Sequence, residues 1–207
     1  MRRKLFAPLA CALLLSALIS TPPAVRKTDA APAVIHNVNV PSPEPQASNI
    51  GINGFFSVDP AQQGSTFQAA IVMDIPRGMH VNANKPLGKY AVPTVVKVDA
   101  PRGLRVTPVA YPRASVREFR FGGGDVERLA VYEGRAIFRF NVSVAPNQNL
   151  DVETVRVSVR FQSCNDEVCF PPASRDLNLR IAIVDRNTTS NRINGQYFVG
   201  GGRGRKR

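Results

Sequence analysis

The chain has no tryptophan, two histidines (His36 and His80), three cysteines and four tyrosines among 207 residues. So few nitrogen and sulfur ligands leave little from which to build a metal site. Cys164, Cys169 and both histidines are the only soft donors outside residues 1–20, and they match no known zinc-ligand spacing. No metal and no other cofactor is expected. Long apolar runs are also missing. The longest, residues 5–19, is broken by Pro8 and Ser16 and is too short for a comfortable membrane span. Outside it no twelve-residue segment keeps the 3.6-residue period, so a helical bundle is excluded. Acidic side chains are scarce, 15 against 27 basic, for a formal net charge of +12.

That charge sits mostly in the ends. Arg2, Arg3 and Lys4 give the first twenty residues +3, and Arg192, Arg203, Arg205, Lys206 and Arg207 give residues 187–207 +5. Residues 49–186 hold 17 basic and 13 acidic side chains, only +4. A body with a dedicated basic face is not present, and no nucleic-acid partner is expected. With 43% hydrophobic residues a packed core is within reach.

The amino end reads as an address. A basic n-region, residues 1–4, precedes the apolar run, as in a secretory signal peptide, expected over residues 1–24. Ser20 or Ala24 could precede the cut; an uncleaved short anchor is the alternative. Cys11 lies inside the apolar run and leaves with the signal. Residues 25–48 read as a proline-rich extended linker, with weak alternation over 34–40 that could add a strand. The domain proper is expected over residues 49–186 and a solvated basic tail over 187–207. The tail's functional alternative is an arm for anionic lipid, cell-wall polymer or nucleic acid.

In the body the period is two. Phe67, Ala69, Ile71, Met73 and Ile75 share one face; so do Ala136, Phe138, Phe140, Val142 and Val144, with Ile137 out of pattern. Val155, Val157, Val159 and Phe161 alternate with polar residues, as do Leu177, Leu179, Ile181 and Ile183. Residues 92–98 and 104–109 are weaker strands. Strands with one buried and one wet face belong to antiparallel sheets, and Gly, Pro and Asn punctuate the runs. About seven strands over this length predict an all-β, immunoglobulin-like antiparallel sandwich.

Two cysteines, Cys164 and Cys169, remain after export, and an even count in an exported chain points to a disulfide. The four residues between them form a hairpin-like tip. Closing so short a loop stabilises by about 2 kcal/mol on the chain-entropy model, the low end for a disulfide. A bridge with so little structural return, at an exposed tip, is a candidate for exchange; an inert bridge is the other reading. Asp166 and Glu167 within the loop disfavour a thiolate. The pair therefore suits a relay that exchanges only after a partner docks.

The stretch Phe161-Gln162-Ser163-Cys164, then a polar loop, then Cys169-Phe170-Pro171-Pro172, resembles the cysteine segment of the amino-terminal periplasmic domain of the thiol:disulfide interchange protein DsbD. Residues 78–86, residues 90–94 with Pro93-Thr94, and Tyr132-Glu133-Gly134 support the resemblance, which spans roughly residues 49–184. The resemblance implies an immunoglobulin-like domain whose cysteines exchange with thioredoxin-like periplasmic proteins, including those of cytochrome c maturation. It assigns Cys169 as the partner-linked sulfur and Cys164 as the resolving one. It places an aromatic shield near Phe119 and Phe121, with Glu118, His80 and Asn82 around the pair. His80 and Asn82 stand where the family often has aromatics; His80 alone would also pass as an idle strand-end polar residue. The expectation is a stand-alone, monomeric form served by a separate membrane electron donor. The activity implied is that of a protein thiol–disulfide oxidoreductase.

Overall fold

The computed structural model describes residues 49–198. The expected signal peptide, the linker with its strand at 34–40, and residues 199–207 lie outside the described residues. The described part is all-β: β1 Gly51–Phe56, β2 Val58–Asp59, β3 Ala61–Gln62, β4 Thr66–Asp74, β5 His80–Asn82, β6 Val95–Asp99, β7 Leu104–Val106, β8 Ser115–Phe119, β9 Glu127–Tyr132, β10 Arg135–Val144, β11 Val152–Phe161, β12 Ser163–Cys164, β13 Ala173–Val184 and β14 Asn191–Arg192. The only helical turns described are short 3₁₀ pieces, among them Phe121–Gly123 and Gly195–Tyr197.

Two four-stranded sheets, ordered β1-β4-β10-β7 and β3-β13-β11-β6, share one core. The alternation read from the sequence is what fills it. Phe67, Ala69, Ile71 and Met73 of β4 meet Phe138, Phe140 and Val142 of β10. Opposite them lie Val155, Val157, Val159 and Phe161 of β11, with Ile181 and Ile183 of β13. Leu177 and Leu179 pack on the core but are only half-buried, because β3 pairs with β13 only at Ile183 and Val184 and leaves the rest of that strand as a sheet edge. Gly54 of β1 sits where a Cβ would fall 2.4 Å from Leu179, so the strands approach closely there. Ile137 has a partner after all. It pairs in register with Val72 on the outer face of the sheet, next to Ala70 opposite Arg139.

That outer face is covered by the chain's own end. Within the segment read as a tail, β14 pairs with β2 and Tyr197 stacks on Phe55 at 4.3 Å. Arg139 Nε donates to the Tyr197 carbonyl (2.7 Å) and Asn194 Nδ2 to the Phe56 carbonyl (3.0 Å). Residues 191–198 are therefore part of the packed domain; a solvated tail is an expectation only for 199–207.

A third sheet, β12-β5-β9-β8, is joined to the core sheet through the turn at Gly134 (φ +63°), which connects β9 directly to β10. Its pleat separates two jobs. Val81, Ala130 and Tyr132 face the main core, while Leu129, Val131 and Phe119 form a second, smaller cluster on the opposite face. None of β5, β8 and β9 has the long alternating signature, which is why the sequence pattern did not mark them.

Candidate functional site

The second face of the third sheet carries the cysteines. β12 is two residues long and lies antiparallel to β5, with Ser163 opposite Val81 and Cys164 opposite His80. On its other side Cys164 pairs with Cys169, to which it is disulfide-bonded with a Cα–Cα distance of 4.0 Å. Cys164 thus stands between His80 and Cys169 across the strands. It is wholly buried, whereas Cys169 is half-buried and lines an open groove of about 420 Å³.

The loop between the cysteines is shaped by Asn165. Its Oδ1 accepts from the backbone N–H groups of Glu167 (2.9 Å) and Val168 (2.7 Å), and its own N–H donates to the Val168 carbonyl (3.0 Å). An Asn that bonds its own following backbone builds such a turn without any helix. Asp166, Glu167 and Val168 are consequently pushed outward and exposed. Gln162 ties the loop to its surroundings. Its Oε1 accepts from Asn82 Nδ2 (2.9 Å) and the Val92 N–H (3.0 Å), and its Nε2 donates to the Phe170 carbonyl (3.2 Å).

Of the residues expected around the pair, the structure gathers His80, Asn82, Phe119 and Phe121. His80 stacks on Phe119 at 4.0 Å, and Phe119 on Phe121 at 5.6 Å. Phe119 is buried and Phe121 half-buried, at the lip of the groove. Glu118 is not among them. It lies one residue off in the pleat, on the opposite face of β8, where it is exposed and 3.9 Å from Arg128. The neighbours of Phe119 on the site face are instead Arg117 and Glu127, in register with Leu129 and Phe119. Tyr90, Ala91, Leu129 and Val168 complete the groove, with Gln162 at its floor. None of these was named as a site residue from the sequence: Tyr90, Ala91 and Gln162 lie in the quoted motifs, and Leu129 becomes visible only once the register of β8 on β9 is known.

Two buried polar atoms on this face have no hydrogen-bond partner: His80 Nε2 and Asn82 Oδ1. His80 is 2% exposed, and its burial pulls its pKa from 6.5 down to about 4. The nearby Asp166 carboxylate pulls the other way and the Arg117 guanidinium adds to the lowering. Between pH 6.5 and 4 the unfolded chain binds a proton at His80 that the folded chain refuses. Folding stability from this group therefore declines as pH falls through that window and levels off below about 4. The full loss is on the order of 3 kcal/mol. Urea midpoints at pH 7 and pH 4.5 check this: replacing His80 by Phe should reduce the difference between them.

The residues just described fall within a known family. The family model for the amino-terminal domain of the thiol:disulfide interchange protein DsbD matches residues 53–181. The chain belongs to the DsbD N-terminal family. Among solved structures, it is similar to the reduced N-terminal domain of DsbD from Neisseria meningitidis, at 16% identity and a TM-score of 0.42. That likeness covers 72% of this chain and 94% of the other. It is also similar to the N-terminal periplasmic domain of ScsB from Proteus mirabilis, at 12% identity and a TM-score of 0.40. There the likeness covers 63% of this chain and 47% of the other. No curated protein matches the chain. Within the DsbD N-terminal family the disulfide between Cys164 and Cys169 and the aromatic pair beside it form the candidate site of this member.

Proposed function

We propose that this domain is a periplasmic thiol–disulfide exchange module. It passes electron pairs through Cys164 and Cys169 to or from thioredoxin-like proteins. The observation that carries the reading is the unequal exposure of the two sulfurs' residues. Cys169 faces the groove, so an incoming thiol or disulfide reaches it first; Cys164 is wholly buried and can act only from within. Membership of the DsbD N-terminal family supports the chemistry, and the secretory pattern of residues 1–24 supports the compartment.

The groove suits a docking step. Tyr90 and Val168 are large apolar side chains of its lining left in solvent, Tyr90 at 80% exposure. An extended segment of a partner laid there would cover apolar surface and exclude water from Cys169. The test is the reduction potential of the pair, measured against a glutathione or dithiothreitol buffer. A value above about −300 mV is expected; a value well below it marks an inert bridge and overturns the relay.

A further inference from the structure

We infer that His80 is the proton acceptor and donor for Cys164 in the closing and opening of the disulfide. This rests on the exchange chemistry proposed above, and it assigns a role to a residue that departs from the aromatic character usual near this site.

Three observations point there. His80 is the direct cross-strand partner of Cys164, on the flank opposite Cys169. Residues directly opposite in an antiparallel pair put their Cβ atoms roughly 4.5–5.5 Å apart on the same face. The ring is almost fully buried, and its Nε2 has no hydrogen-bond partner, which a buried polar atom tolerates only at a cost. Finally, Cys164 itself is wholly buried, where a bare thiolate is strongly disfavoured. The sulfur that must become a nucleophile therefore has no water to take its proton, and the one free basic nitrogen nearby belongs to His80.

The step balances. With a partner held on Cys169 as a mixed disulfide, the Cys164 thiol gives its proton to His80. The Cys164 sulfur attacks the Cys169 sulfur, and the new S–S bond forms as the Cys169–partner bond breaks. The electron pair leaves on the partner's sulfur, which takes the proton from His80. The domain's two thiols are oxidised to a disulfide and the partner's disulfide is reduced to two thiols. In the opposite direction the protonated His80 meets Cys164 as it leaves. Charged groups facing the ring are Asp166 from the cysteine loop, which favours the imidazolium, and Arg117 from β8, which opposes it. Arg117 is itself 3.5 Å from Glu133 at the end of β9, which tempers its charge. On β9, Glu127 stands on the site face opposite Phe119 and lines the groove, Arg128 lies on the other face beside Glu118, and Tyr132 faces the main core.

The closing step can be read directly. The reduced domain is mixed with the aromatic disulfide dithionitrobenzoate, and the coloured thiol is released in two phases, the second being attack by Cys164. For the wild type this phase should change little between pH 5 and pH 7. In His80→Phe, which keeps a ring against Phe119, it should fall about tenfold per pH unit on acidification. At pH 5 it should be on the order of a hundredfold slower than wild type, the usual scale of general acid–base assistance. A second measurement needs no change at His80. Imidazole nitrogen shifts in reduced Cys169→Ser should show His80 taking a proton at higher pH than in the oxidised wild type. Equal pH slopes in wild type and His80→Phe, or a His80 titration indifferent to the redox state, would overturn the assignment. Both readings are independent of the potential of the pair, so failure here is separable from failure of the relay.

Discussion

Cys164→Ser accumulates mixed disulfides through Cys169 in an envelope extract, and Cys169→Ser does not. The asymmetry follows from where the two residues sit. In Cys164→Ser the remaining thiol lies in the groove and meets partner disulfides, but nothing within the domain can release the partner. In Cys169→Ser the remaining thiol is wholly buried and finds no partner. The contrast should be nearly all-or-none on a non-reducing gel, with the trapped species removed by dithiothreitol. Equal trapping by both variants would mean that the loop opens freely and that burial does not set the order of attack. Trapping by Cys169→Ser alone would reverse the roles.

Phe138→Ala costs about 3–5 kcal/mol of folding stability, a large share of the 5–15 kcal/mol typical of a domain. Phe138 is fully buried at the centre of β10 and holds two tyrosines edge-on, Tyr111 at 5.5 Å and Tyr132 at 5.6 Å. Each tyrosine ties down backbone elsewhere. Tyr111 accepts from the Val96 N–H (2.9 Å); Tyr132 accepts from the Asn84 N–H (3.3 Å) and also donates to Asn84 Oδ1 (2.8 Å). The second of these anchors the segment that leads from β5 into the groove. The cavity should therefore loosen the site as well as the core. Urea unfolding gives the stability. Reaction of the disulfide with a small thiol, compared between wild type and variant below the unfolding transition, gives the local effect. A loss under about 1 kcal/mol would show that the core collapses to fill the space.

How far the sequence spoke depends on the length of each strand. β4, β10, β11 and β13 were legible because nine to twelve residues of alternation leave little doubt about the period. β5, β8 and β9 were not. β5 is three residues long and entirely buried, and β8 is almost entirely exposed, so neither alternates. Glu118 shows the cost. Proximity in sequence to Phe119 suggested a shared role, but the side chains of neighbours in a strand point to opposite faces. The cysteines were legible from count and motif. The place of His80 opposite Cys164 was not, since 84 positions separate them and only the register joins them. Gln162 sits two residues from Cys164, yet its part in holding Asn82 and Phe170 depends on contacts that no spacing announces.

The stacking of Tyr197 on Phe55 bears on where this domain may be cut. The family match stops at residue 181, short of the end of β13 at Val184 and well short of Tyr197. A fragment trimmed to the match would bare the outer side of β4, where Ala70 and Val72 are almost wholly buried, and leave Phe55 and Ile137 without cover. It would also strip the parallel pairing of Ile183 and Val184 from β3, opening a sheet edge to other copies. Among the described residues the packed body runs through Phe198, so it extends beyond the segment of family likeness.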